Sequence, residues 1–285
     1  MSSASDLSFA APGGSAIAVP QLPPRPRSTT PRPVLLGVAA LLVALLVYSW
    51  IDVGGSVREF IDGWFSSKGL IRDVIPNSLP PEAGQFWDGF KAAMTTFAIA
   101  ILSIVFGVIW SIAVVPLAAR NLAPSSVVYG ITRFVLAVLR AIPELIMLLF
   151  FNITIGLSPF AAVVALTFHG IGVKGKLFAE AVEEMDMSPV DALRVAGAGR
   201  TQVFLHGVLP EVRNTLTGLT LYRLDVNFRS AVTLGAVGGG GIGLLIDNEL
   251  GVFDFKAVCT YMIILVVFVL AIERVSAILR RRYAT

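Results

Sequence analysis

Four polar side chains fall within seven positions of an otherwise apolar stretch: Arg223, Asp225, Asn227 and Arg229, with Ser230 following. Upstream, Arg140 and Glu144 flank Ile142-Pro143. A guanidinium offers paired donors to two oxygens of a tetrahedral anion. Charges at membrane depth are costly and face a bundle interior or a water-filled path. At helical spacing Asp225 and Arg229 are i,i+4 and can pair with each other, as can Arg140 and Glu144. Asn227 follows Arg223 by four and shares its stripe. Two readings stand: contact with a passing anion, and internal salt bridges that hold helices together.

None of these residues suits catalysis or a metal. His169 and His206 stand far from the single cysteine, Cys259, which lies in an apolar run. That is too few ligands for zinc, and neither histidine has a nucleophile in its setting. Gly238, Gly240 and Gly243 match G-x-G-x-x-G in form. A dinucleotide site needs that motif between a strand and a helix, and this one follows an apolar helix. Gly235, Gly238, Gly239, Gly240, Gly241 and Gly243 instead predict a helix break with close backbone approach, a candidate gate at the outer end of a span.

The elements that must position these residues are membrane helices. Of 285 residues, 55% are hydrophobic and 14% charged, with mean hydropathy +0.80, against about 25% charged in a soluble domain. Residues 33–51, 92–119, 145–173, 230–246 and 257–272 hold no charge, and about 20 apolar residues span a bilayer. An all-α polytopic membrane protein with about six transmembrane helices follows. Residues 1–33, rich in proline and arginine, read as a disordered cytoplasmic tail. Residues 34–51 read as an uncleaved first span, with no small-x-small cleavage site near Trp50. Residues 52–91 read as an external loop, and 92–283 as the main membrane domain. Its spans are expected near 92–119, 127–155, 160–173, from Pro210 to the glycine cluster, and 255–278. With both termini inside, thirteen Lys and Arg fall on the cytoplasmic side and five outside, as the positive-inside rule requires.

Residues 174–211 form the longest cytoplasmic stretch between spans. Ser188-Pro189-Val190-Asp191 reads as an N-cap serine, a first-turn proline and an acid three after the cap. Val190, Leu193 and Ala196 share a face, and Gly197 stops the helix. The helix either rests on lipid headgroups or docks on a partner, and periodicity does not separate the two.

The stretch resembles the cytoplasmic signature of permease subunits in binding-protein-dependent ABC importers: Glu-Ala-Ala, three residues, Gly, nine residues, Ile, one residue, Leu-Pro. Here it reads Asp191-Ala192-Leu193, then Gly197, then Gly207, Val208, Leu209-Pro210. The spacing is kept, while Asp191, Leu193 and Gly207 depart from the pattern. Leu139 to Leu145 and Tyr222 to Ala231 with the glycine cluster resemble permeases of phosphonate-type importers, and the Ser-Ala…Gly portion also resembles methionine-importer permeases. The resemblance implies a type I importer, methionine-permease-like fold. It implies that Ser188, Asp191, Ala192, Leu193, Gly197, Gly207, Leu209 and Pro210 couple the chain to an ATPase subunit. It implies a phosphonate, phosphite or phosphate anion as cargo, for which Arg140, Glu144, Arg223, Asp225, Asn227, Arg229 and Ser230 are the expected path residues, with internal pairing as the alternative.

No Walker motif occurs, so ATP and Mg belong to a separate ATPase chain. The expected partners are a second copy of this chain, two ATPase subunits, an external solute-binding protein and membrane lipid, and no nucleic acid. The expected location is the inner (cytoplasmic) membrane. Two other classes compete. A secondary transporter calls for inverted repeats, and an intramembrane enzyme calls for paired catalytic residues at depth.

Overall fold

The computed structural model describes residues 32–54, 56–66 and 74–283. The chain divides between Phe60 and Ile61 into two compact units. The first contains α1 (Arg32–Asp52), whose segment Pro33–Asp52 has mean hydropathy 2.6, enough to cross a membrane. The expected 1–33 tail lies outside the described residues, except that Arg32 and Pro33 open α1. A short helix α2 (Val57–Phe65) runs over the division.

The elements of the second unit are all helices among its described residues. After α3 (Ile75–Ser78) and a 3-10 turn at Ala83–Gln85 comes α4 (Phe86–Ala118), 33 residues long. At 1.5 Å per residue it measures about 50 Å, more than a bilayer core, and it begins inside the stretch expected to be external loop. Its inward face carries Thr96, Ser103, Gly107 and Ser111, spaced seven, four and four apart as one helical stripe requires.

The span expected over 127–155 is not one helix. It is α5 (Ser126–Ala141) and α6 (Glu144–Ile155), bent by 87° at Ile142-Pro143. Proline has no N–H to donate and disfavours a helical residue before it, so the chain turns there. Ser125 caps α5 by accepting from Val128 N, and Ser158 caps α7 by accepting from Ala161 N.

Helix α7 (Pro159–Glu184) continues eleven residues beyond the expected membrane boundary at residue 173. Lys174 and Lys176 are therefore helical, and the segment between the long helices begins after Glu184. It consists of α8 (Ser188–Val195), α9 (Arg200–Val203) and a π turn at Phe204–Val208 that runs on into α10 (Leu209–Leu234). Leu209 N bonds Phe204 O, five residues back. This wider turn lets the helix pass through Pro210, which therefore lies within the helix and does not open it. A second π turn (Gly235–Gly239) leads to α11 (Ile242–Gly251), bent by 52° from the helix before it, and α12 (Phe255–Tyr283) closes the fold. Among the described residues four helices are long and apolar enough to span a membrane, or up to six with each bent pair counted as one span.

Candidate functional site

Three regions gather the polar residues of the second unit. The first surrounds α8. Val190 of α8 is fully buried in a core with Val115, Phe178, Val203 and Val212, so α8 is seated on the ends of α4, α7 and α10. Gly207 fits beneath it: a Cβ there would meet Leu193 Cδ1 at 2.9 Å. Leu209 packs against the same core, while Asp191 and Ala192 face outward. Gly197 has φ +83°, with Ala198 N bonding Leu193 O and Gly197 N bonding Arg194 O. This is a Schellman ending, which favours glycine for its backbone, since nothing lies within 4 Å of a Cβ there.

Ser188 is not the cap. The helix begins at Ser188 after Met187, which makes no side-chain cap. Asp186 does the work instead: its Oδ1 accepts from Ser188 N at 3.0 Å and Ser188 Oγ at 2.8 Å. These bonds hold the Asp186 carboxyl below its ordinary value of 3.8, the backbone bond contributing most. Asp191 pairs with Arg194 at 3.2 Å.

A brace behind α8 had no signal in the sequence beyond charge. Arg133 reaches Glu183 Oε1 at 2.8 Å and donates to Ala118 O, while Arg120 N donates to the same Glu183 oxygen. Asn121 donates to Val182 O at 2.8 Å. The α4–α5 turn is thus tied to the end of α7. Beside it lies a cleft of about 360 Å³ flanked by Arg194 and Arg200.

The second region lies around the α5–α6 break. Arg140 and Glu144 do not form the i,i+4 pair, because Pro143 ends the helix between them. Glu144 Oε1 accepts from Ser230 Oγ at 2.5 Å, and Oε2 lies 3.5 Å from His169 Nε2. His169 Nδ1 lies 3.2 Å from Ile142 O, the carbonyl at the break. Arg140 is exposed and forms no ion pair among the described residues.

On α10 the two expected faces separate. Asp225 and Arg229 pair across one turn, with Asp225 largely covered and Arg229 open. Arg223, Asn227 and Ser230 occupy the other face at i, i+4 and i+7. Asn227 is buried and donates to Ser103 Oγ of α4 at 3.0 Å. Arg223 is half-buried within electrostatic reach of Glu144, and its Nε is buried without a hydrogen-bond partner among the described residues.

The third region is the glycine cluster. Gly240 (φ +77°, ψ −172°) and Gly241 (φ +74°, ψ −158°) take backbone conformations that side chains disfavour. A Cβ on Gly241 would lie 2.2 Å from Thr96 Oγ1, and that hydroxyl accepts from Ile242 N at 2.9 Å. A Cβ on Gly243 or Gly235 would press on backbone at Val232 O or Gly240 O, one on Gly239 on Leu234 O, and one on Gly238 on Leu157. Asn152 donates to Val237 O across the break. The bend expected from the glycines is present, locked to α4 through Thr96.

A multi-span helical bundle with a broken inner helix, a buried polar stripe and a short helix seated on the bundle defines the class of a transport permease. The model of the binding-protein-dependent transport system inner membrane component family matches residues 115–285, and the chain belongs to that family. It is 35% identical over 250 residues to the phosphite transport system permease protein PtxC of Stutzerimonas stutzeri, covering 87% of this chain and 89% of that protein. It is 34% identical to the phosphate-import permease protein PhnE of Mycolicibacterium smegmatis, over 91% of this chain and 48% of that longer protein. The methionine import permease MetP of Bacillus subtilis is more distant, 28% identical over 54% of this chain and 71% of its own length. A chain of the MetNI methionine ABC transporter superposes with TM-score 0.62 at 21% identity, over 72% of this chain and all of that one. The fold is that of type I ABC importer permeases.

Proposed function

We propose that this chain is the permease subunit of an ATP-driven importer of a phosphorus oxyanion: a phosphonate, phosphite or phosphate. The similarity to phosphite and phosphate permeases over nearly the whole chain carries the reading, and the Arg223–Asn227 face suits such an anion. A separate ATPase docks on α8 and the Leu209-Pro210 segment, and an external binding protein delivers cargo. Two copies of this chain enclose the path, which the twofold geometry of such importers favours. The matched region is 48% of the M. smegmatis protein, which leaves that chain room for a second unit of this size. Both termini lie in the cytoplasm on the positive-inside argument.

Ligand identification on the cognate binding protein tests the reading. A phosphonate, phosphite or phosphate is expected to raise that protein's Tm and methionine to leave it unchanged. Stabilisation by methionine alone would move the chain to the methionine group.

A further inference from the structure

Lys174, expected in the loop 174–211, stands instead within α7 as a buried charge. It is 0% exposed, and its Nζ has no hydrogen-bond partner among the described residues. It reaches its place over two glycines: a Cβ on Gly107 of α4 would lie 2.5 Å from Nζ, and one on Gly170 of α7 would lie 2.6 Å away. Arg223 stands one turn before Asn227, which bonds Ser103, and Gly107 stands one turn after Ser103 on the antiparallel α4, so Arg223 comes level with Lys174 Nζ. The Nε of Arg223 is buried without a hydrogen-bond partner among the described residues. The carboxylate of this group, Glu144, already accepts from Ser230 and faces His169. Ser111, one turn along α4 from Gly107, has a buried hydroxyl without a partner among the described residues.

A buried ammonium without a partner is costly, and a second cation beside it adds repulsion. Lys174 and Arg223 with one engaged carboxylate leave an excess positive charge and several unused donors. A small oxyanion supplies both the charge and the acceptors. Arg223 is half-buried and Lys174 wholly buried, so an anion held between them would exchange solvent for these donors. We propose that Lys174 and Arg223 form an oxyanion subsite at the junction of α4, α7 and α10, occupied in passing by the transported phosphorus oxyanion. The subsite rests on the oxyanion-permease reading above and adds Lys174 as a specificity-determining residue. A conduit needs such contact to be weak enough to release.

The test uses the whole complex, purified with its ATPase. Binding of radiolabelled inorganic phosphate is measured by equilibrium dialysis without the delivery protein, and uptake is measured in proteoliposomes. Lys174→Met keeps the length and removes the charge, so the protein is expected to fold at least as stably. Phosphate binding is expected to weaken at least tenfold, the KM for uptake to rise, and ATP hydrolysis stimulated by the binding protein to persist. Gly170→Ala, which crowds Nζ and keeps its charge, serves should Lys174→Met fail to assemble, with the same weakening expected. Equal phosphate binding in wild type and an assembled variant overturns the subsite, as does no binding to the wild-type complex. If wild type nevertheless imports a phosphorus oxyanion, the permease reading stands without the subsite. If wild type imports none, that reading itself falls.

Discussion

Ser230 donates its hydroxyl to Glu144 Oε1 at 2.5 Å, tying α10 to the first turn of α6 across the Pro143 break. The bond joins the helix that carries Arg223 and Asn227 to the 87° bend between α5 and α6. Hydrogen bonds between membrane helices are worth about 0.6–2 kcal/mol. Ser230→Ala is therefore expected to lower stability by about 1 kcal/mol and to slow uptake. Thermal unfolding of the detergent-purified complex reads the first, and proteoliposome flux the second. An unchanged Tm together with unchanged flux would mean the bond holds nothing.

Gly197 is needed for its backbone, not for space. At φ +83°, a β-branched residue is strained, while asparagine tolerates the left-handed region. Gly197→Val is expected to cost about 1 kcal/mol or more and to weaken co-purification with the ATPase, whereas Gly197→Asn retains most of it. Equal loss in both variants would point to steric contact with the ATPase instead.

Gly241 and Thr96 act together. Gly241→Ala places a methyl 2.2 Å from Thr96 Oγ1 on a backbone that already disfavours side chains, so uptake is expected to fall at least tenfold. Thr96→Val removes the acceptor of Ile242 N and costs about 1 kcal/mol. If the double variant is no worse than Gly241→Ala alone, the two residues hold one joint. Independent, additive losses would separate them.

The Asp225–Arg229 pair neutralises itself on the face away from Asn227. Exchanging the two charges is expected to restore much of the uptake lost in either single variant. Arg223→Gln has no such rescue and is expected to reduce uptake in an assembled complex.

Asp186 gives α8 an acid limit. Its carboxyl is held below 3.8 in the folded chain, so the unfolded group takes up its proton first as pH falls. Its contribution is complete above the unfolded value and is lost as pH drops below 3.8 through the folded one. Amide exchange at the start of α8 is expected to quicken over that window in wild type, and to be fast at all pH values in Asp186→Ala.

The i,i+4 pair of Asp225 and Arg229 and the Arg223–Asn227 stripe were legible because α10 is unbroken there, so spacing alone sets the faces. The same rule misjudged Arg140 and Glu144, since Pro143 turns the chain between them and Glu144 meets Ser230 and His169, remote in sequence. Ser188 carries the pattern of a cap, but its hydroxyl donates to Asp186 Oδ1 and Asp191 N already bonds Met187 O, so the helix is under way at Ser188. Lys174 was assigned to the cytoplasm because a charge marks the end of an apolar run. Gly107 and Gly170 are what let it lie inside, and no local pattern on α7 reveals a glycine on α4. The glycine bend and the frame of the cytoplasmic helix were legible from residue types that have few other uses.

ATP-dependent uptake into proteoliposomes holding this chain, its ATPase and its binding protein is the most direct test of a phosphorus-oxyanion permease. Labelled methylphosphonate, phosphite and phosphate are compared with labelled methionine, in wild type and Arg223→Gln. The expected result is accumulation of at least one phosphorus oxyanion that methionine does not inhibit, and a fall in Arg223→Gln with assembly intact. Accumulation of methionine alone, or phosphorus uptake that proceeds without ATP, would contradict it.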